Sequence, residues 1–325
     1  MQTSSAVSGT RQTALLRAAP DRMADPTVIA AVDLGSNTIK MTIAHCHADG
    51  RLEEVSWFSE TVRLGRDLDR TGVLADDRMA AAEDCLLRFS DEARRQGASH
   101  LIGHATEAVR SAANAMQFLR EIEIATCCSL ELIHGDREAA LTFAGAAVDH
   151  DLSGTLVIAD IGGASTESIV AIDGGIAASA SVPVGSGRLT DRHIVSDPPA
   201  EAELAAARSA ARAMMQSDGR LSELPSGEGV RLLLLGGTGE YLRALVPEDV
   251  VLTPASIDGV LELLTRLPSP TLAEQLDIQE LRARVLPAGV AIAAALTDLL
   301  APSSCEVGRS GIRTGLLLEA CRSHS

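Results

Sequence analysis

The sequence predicts an α/β protein made of two similar lobes around a cleft, and three observations carry that prediction. A turn occurs twice, as Asp33-Leu34-Gly35-Ser36-Asn37-Thr38 and as Asp160-Ile161-Gly162-Gly163-Ala164-Ser165-Thr166. Each copy follows an apolar run of strand character and precedes two more β-rich runs, then short strands alternating with helices. The length of 325 residues exceeds one typical core, and a 46% hydrophobic content supplies enough apolar material for two.

In the first half, strands are expected over 28–32, 39–44 and 52–58, where apolar and β-branched residues cluster. A helix over 76–96, a strand over 100–105, a helix over 112–124, a strand over 130–133 and a helix over 136–148 follow. The second half repeats the plan, with strands over 155–159, 168–172 and 176–182 and a helix over 201–215. It continues with a strand over 231–235, helices over 239–245 and 288–300, a strand over 305–307 and a helix over 312–320. Three consecutive strands followed by alternation imply a mixed sheet flanked by helices, here twice over.

The repeated turn has specific chemistry. Gly35, Gly162 and Gly163 allow backbone shapes that side chains resist, so that successive N–H groups can close on an anion. Ser36, Asn37, Ser165 and Thr166 add side-chain donors. An aspartate beside each turn would repel phosphate unless a cation intervenes, so a divalent metal is implied.

A net charge of −16 argues against a nucleic-acid surface, which needs a basic face. Lys40 is the lone lysine, so arginines must bind any polyanion locally, against the global field. No apolar run reaches the roughly 18 residues of a membrane helix, and no membrane association is expected. Residues 1–27 lack the apolar core of a secretory signal and read as a flexible extension of a cytoplasmic protein. Cys46, Cys85, Cys127, Cys128, Cys305 and Cys321 are scattered without a C-x-x-C pair, which suits neither a disulfide framework nor zinc. His45 and His47 share one face of an expected hairpin strand running out to solvent, which disfavours a metal role.

An ordered set of further motifs joins the two turns: Ala105-Thr106-Glu107-Ala108-Val109-Arg110 with Asn114, Gly135-Asp136-Arg137-Glu138-Ala139, Asp160 through Glu167, Gly236-Gly237-Thr238, and Gly311-Ile312-Arg313 with Gly315. Over residues 28–322 the chain resembles the exopolyphosphatase/guanosine pentaphosphate phosphohydrolase (Ppx/GppA) family in its short form. The resemblance implies an actin-like fold, with lobes over 28–135 and 136–311 and the C-terminal helix 312–322 returning to the first lobe. It implies Glu138 as the general base that activates water, and Asp160 and Glu167 as ligands of Mg2+ or Mn2+. Phosphate contacts are implied for Gly35, Ser36, Asn37, Thr38, Arg110, Gly162, Gly163, Ser165, Gly237 and Thr238, with Arg63, Arg188 and Arg313 as weaker candidates. The family also implies a homodimer.

Three departures from the family pattern stand out. Ala164 replaces a glycine and is expected to bring a methyl near the phosphates. Arg137 stands where a glutamate is usual and is expected either to help hold a polyanion or to depress Glu138 and weaken it as a base. The longer members' additional helical region has no counterpart, which predicts activity on short chains. The implied reaction is hydrolysis of the terminal phosphoanhydride of inorganic polyphosphate. Hydrolysis of guanosine pentaphosphate stays open; the aromatic content of only 2% tilts the reading toward polyphosphate. A kinase of the same superfold and a non-catalytic phosphate or nucleotide sensor are the alternatives from other classes.

Overall fold

Two five-stranded sheets share one strand order in the computed structural model, which describes residues 26–220 and 224–324. The extension expected over residues 1–27 lies almost wholly outside the described residues. The first lobe opens with β1 (Thr27–Leu34), β2 (Thr38–Cys46) and β3 (Leu52–Thr61). Helices α1 (Leu68–Thr71) and α2 (Asp76–Arg95) lead to β4 (His100–Ala105), and α3 (Glu107–Ser111) and α4 (Ala115–Thr126) lead to β5 (Ser129–Leu132). Helix α5 (Gly135–Ala146) then crosses to β6 (Thr155–Ile161), β7 (Thr166–Ile172) and β8 (Gly175–Val182). Helices α6 (Ser186–His193) and α7 (Glu201–Ser217), strand β9 (Val230–Leu235) and helices α8 (Gly236–Leu245), α9 (Pro254–Leu264), α10 (Ser269–Leu276) and α11 (Glu280–Leu300) follow. The chain closes with β10 (Ser304–Val307) and α12 (Ile312–His324).

The sheet orders are β3-β2-β1-β4-β5 and β8-β7-β6-β9-β10. In each, the first strand runs antiparallel to the second and parallel to the fourth. The register repeats as well. Asp33 lies opposite Lys40 across the first hairpin, and Asp160 lies opposite Glu167 across the second. Each third strand carries a one-residue bulge at the same point, skipping Val55 in β3 and Ala177 in β8.

Apolar strand residues build a core on both faces of each sheet. Val32, Leu34, Met41 and Ile43 pack against α2 and α4 through Leu86, Phe89 and Phe118. On the other face, Ile29, Ala31 and Ala44 are covered by Leu317 and Cys321 of α12. In the second lobe, Val157, Ala159 and Leu232 pack with α7 and α11, and α5 covers Ile158 and Ile169 from behind. Helix α11 is long and apolar enough to cross a membrane, but 83% of its apolar window is buried inside this lobe. It begins at Glu280 and runs through Pro287, well before the start expected at residue 288. Proline usually ends or kinks a helix, and here burial of almost every residue from Val285 to Thr297 outweighs that preference.

Helices α5 and α12 cross at backbone distance. A Cβ on Gly145 would collide with the carbonyl oxygen of Gly311, and one on Gly315 would collide with that of Leu141. Only glycine allows this approach. Gly315→Ala is therefore expected to cost about 1–3 kcal/mol or somewhat more as overpacking. That corresponds to a melting temperature lower by roughly 2–4 °C per kcal/mol. Differential scanning calorimetry checks it, and an unchanged midpoint would show that the helices separate freely.

Candidate functional site

The two repeated turns cap β1 and β6 and touch each other. A Cβ on Gly35 would come 2.7 Å from the carbonyl oxygen of Thr38, and one on Gly162 would come 2.9 Å from that of Ser165. Gly163 packs directly on Asn37, leaving no room for a side chain. A cavity of about 380 Å³ opens on one side of this contact, lined by both turns and by Asp33, Glu138, Asp160 and Glu167. A smaller one of about 150 Å³ lies on the other side.

With Glu54 and Glu240, six carboxyl groups thus face one cleft. Glu167 is 3% exposed and accepts hydrogen bonds from Ser165 Oγ and Ser181 Oγ, each at 2.8 Å. Burial, followed by repulsion from Asp160, pushes its pKa up to about 7. Glu138, in the first turn of α5, is 6% exposed, and its Oε2 has no hydrogen-bond partner. Burial raises its pKa to about 10, reinforced by Glu167, Asp33 and Asp160 and opposed by Arg110. Burial also raises Asp160, against the pull of Lys40. Asp33 goes the other way. Burial would raise it, but the His104 contact at 3.2 Å, with Lys40 and Arg313, holds it below its ordinary value.

A hard divalent cation fits this donor set. Glu138 offers an unpaired buried oxygen, and the mutual repulsion of Glu138, Asp160 and Glu167 is what such a charge relieves. Among the described residues no group of three or more His, Cys, Asp or Glu side chains is placed to hold a metal by itself. Magnesium commonly takes one or two carboxylates, with water and substrate phosphates completing its shell, so an open arrangement is the suitable one.

Of the residues expected at the site, Gly35, Ser36, Asn37, Thr38, Glu138, Asp160, Gly162, Gly163, Ser165, Glu167 and Gly237 line the larger cavity. Two do not. Arg110 donates to the carbonyl of Ile133 at 2.7 Å, pairs with Glu107 and sits 3.9 Å from Glu138 Oε2, behind the base instead of in the cleft. Thr238 is fully buried; its Oγ1 lies 3.5 Å from the carbonyl of Ile161, and its side chain packs against Gly289. Neither lines the larger cavity as placed.

The departures from the family pattern also resolve structurally. Arg137 forms a two-pronged pair with Glu319 of α12, and Glu138 is raised, not depressed. The Ala164 methyl lines the smaller cavity and not the larger one. Of the weaker arginines, only Arg313 lines the larger cavity, with Nε donating to Thr42 Oγ1 at 2.9 Å. Arg63 pairs with Asp191, and Arg188 and Arg192 pair with Asp69, so these arginines tie the two lobes together. His47 bonds Glu53 at 2.9 Å, which leaves the His45/His47 pair a structural element of the hairpin.

Sequence reasoning missed Lys40, Arg282, Glu54 and Trp57, and used Asp33 only as part of a turn. Lys40 was within reach of it. The spacing of seven that joins Asp160 to Glu167 also joins Asp33 to Lys40, so the repeat sets a cation in one lobe where the other has an acid.

Duplicated sheets of this order, with paired turns over a carboxylate cleft, define a two-lobed enzyme scaffold of the actin-like class. The chain matches the sequence profile of the Ppx/GppA phosphatase family over residues 43–324, and it belongs to that family. It is 32% identical over 257 residues to exopolyphosphatase 2 of Mycobacterium tuberculosis, covering 76% of this chain and 78% of that one. It is 28% identical over 302 residues to a guanosine-5'-triphosphate,3'-diphosphate pyrophosphatase of Vibrio atlanticus, covering 90% of this chain but 59% of that one. The chain therefore spans only about three-fifths of the Vibrio protein's length. Among solved structures, the Aquifex aeolicus PPX-GPPA enzyme is similar at 25% identity and a TM-score of 0.69, over 90% of this chain and 99% of that one. An exopolyphosphatase from Cytophaga hutchinsonii shares the fold with a TM-score of 0.81 at 22% identity, over 91% of this chain and 98% of that one.

Proposed function

We propose that the chain hydrolyses the terminal phosphoanhydride of short inorganic polyphosphates and releases orthophosphate. The observation that carries this reading is the buried, unpartnered Oε2 of Glu138 in a cleft formed by two phosphate-type turns. Asp160 and Glu167 would hold a divalent ion. When bound, that ion supplies positive charge that offsets the phosphate oxygens and lets the raised carboxyls give up their protons.

The chain's own residues account for the remaining chemistry. The turns at Gly35–Thr38 and Gly162–Ser165 cradle the terminal phosphate, while Lys40 and Arg313 balance the charge of the next ones. Water attacks the terminal phosphorus in line with the bridging oxygen. Glu138 takes the proton from that water, the bridging P–O bond breaks, and the shortened chain leaves with its electron pair. Arg110, 3.9 Å behind Glu138, keeps the carboxylate form accessible. No disulfide links the six cysteines, which suits a reducing compartment.

Chain length follows from charge placement. Beyond the touching turns, the arginines of the smaller cavity are already paired: Arg63 to Asp191, Arg66 to Asp77, Arg70 to Asp67, and Arg188 and Arg192 to Asp69. A long polyanion finds no free basic track among them, and the net charge of −16 opposes it. Phosphate release should therefore be at least as efficient, per chain end, from tripolyphosphate as from chains of hundreds. Salt should shift KM modestly, without the steep power law of extended phosphate binding. A strong preference for long chains with a steep salt slope would refute this placement. Guanosine pentaphosphate belongs in the same assay, because relatives of both kinds match the chain.

A further inference from the structure

The larger cavity has a buried floor and an exposed rim, and the two carry different charge. At the floor, Arg282 is 8% exposed, and Lys40 and Arg313 are half-buried beside the turns. At the rim stand Glu54, Trp57, Glu240 and Arg309, all exposed. Two acids against one base leave the rim net negative, outside the three cations that meet the phosphates. That this mouth serves a ligand is marked by Glu138, whose buried Oε2 lies on the same cavity without a hydrogen-bond partner.

The two rim acids come from opposite lobes. Residues three apart on a regular strand point to opposite faces. The bulge at Val55 reverses the alternation in β3, so Glu54 and Trp57 share the face that lines the cavity. Glu54 Oε1 accepts a hydrogen bond from the buried Thr314 Oγ1 at 2.8 Å, which pins the carboxylate to α12. Glu240 follows the Gly236-Gly237-Thr238-Gly239 start of α8. It acts on Arg282 through its field alone, while that guanidinium lies 5.4 Å from the centroid of the Tyr241 ring. Among the described residues neither Glu54 nor Glu240 is ion-paired.

Arg309 has the opposite sign and an equally firm mount. The Gly308 N–H donates to the Leu234 carbonyl at 3.0 Å, and Ser310 Oγ donates to Asp149 at 2.9 Å. A Cβ on Gly308 would come 2.4 Å from His150 Nε2. The loop from β10 to α12 is thus held down on both sides of Arg309, and the rim charges keep their places.

We propose that Glu54 and Glu240 form an electrostatic filter at the mouth, one acid from each lobe, that limits the length of polyphosphate the cleft accepts. A chain of a few phosphates is taken up by the turns and the floor cations. A long chain must also run out between two carboxylates, and each repels the phosphates that pass it. The filter acts on entry, so its cost to a long chain falls on KM and not on kcat. The proposal rests on the phosphohydrolase reading of the same cleft and names the residues that choose among its substrates.

The test compares kcat/KM for chains of hundreds of phosphates with that for tripolyphosphate, per chain end and at fixed free magnesium. Glu54→Gln combined with Glu240→Gln should raise that ratio by about three- to tenfold, the scale of two exposed charges, through a lower KM for the long chain. The glutamine oxygen at position 54 can keep the Thr314 bond, so the rim stays in place. Arg309→Gln should move the ratio the other way, which a merely loosened rim would not do. The gain of the double variant should shrink at about 1 M salt, where the Debye length is about 3 Å. A ratio unmoved by the double variant, or raised by Arg309→Gln as well, would overturn the filter. Hydrolysis of tripolyphosphate by the unmodified protein is measured first. Its absence would refute the phosphohydrolase reading itself, whereas an unmoved ratio in an active protein removes the filter alone.

Discussion

Glu138→Gln is expected to lower turnover by about two to four orders of magnitude, the range associated with losing a general base. The amide matches the carboxyl in shape, so the first turn of α5 and its packing through Ala139 and Leu141 should persist. The loss should fall on kcat, because the phosphates are held by the turns and cations and not by Glu138. The same substitution has a second signature that a bystander residue would not show. In the metal-free protein the pKa of Glu138 is raised from 4.5 to about 10 and that of Glu167 from 4.5 to about 7. The folded state then binds protons that the unfolded chain releases, so stability falls as pH rises above the ordinary carboxyl range. The metal-free protein should melt lower at about pH 8 than at about pH 5.5, and Glu138→Gln should reduce that difference. A variant that turns over within a few-fold of the parent, with the same pH slope, would place the base elsewhere.

The next largest effect is expected at Asp160 and Glu167. Asp160→Asn and Glu167→Gln should each raise the magnesium concentration for half-maximal activity by about tenfold or more, since even indirect partners of a metal are worth 10–100-fold. The two should differ in one respect. Glu167 accepts from Ser165 and Ser181 through Oε1 alone, so the amide oxygen of a glutamine can keep both bonds. Asp160 has Lys40 among its opposing charges, so its neutralisation leaves that buried ammonium with less compensation. Asp160→Asn is therefore expected to lower the melting temperature more than Glu167→Gln does. Metal titrations unchanged in both variants would remove the pair from the site.

The strands of both sheets were legible because β-branched and apolar runs recur with the same spacing around each turn. Helices were less evenly visible. Pro254, behind a Thr253 cap whose hydroxyl accepts from the Ser256 amide, marks the start of α9, yet the surrounding stretch was passed over. The break between α3 and α4 was hidden because Ala112 and Ala113 are by themselves strong helix formers. At the site, turn glycines and the carboxylates were readable from motif spacing. Arg110 and Thr238 do not line the cavity, because a motif gives order along the chain, not the direction of a side chain. Arg110 is drawn to Glu107 and the Ile133 carbonyl, and Thr238 is sealed under α11. Trp57 depended on a bulge that no local residue preference announces.

The return of α12 to the first lobe has a consequence for how the protein is made. One face of the first sheet, including Ile29, Ala31 and Ala44, is covered by Leu317 and Cys321, which leave the ribosome almost three hundred residues later. The N-terminal half can form its meander and the α2/α4 layer early, but it waits through synthesis of the whole second lobe with an apolar face open. Nascent chains of that kind attract chaperones or one another. A stop codon or protease cut shortly before residue 312 would do more than shorten the protein. It would strip the lid from the first half of the molecule and strand it as an aggregation-prone fragment.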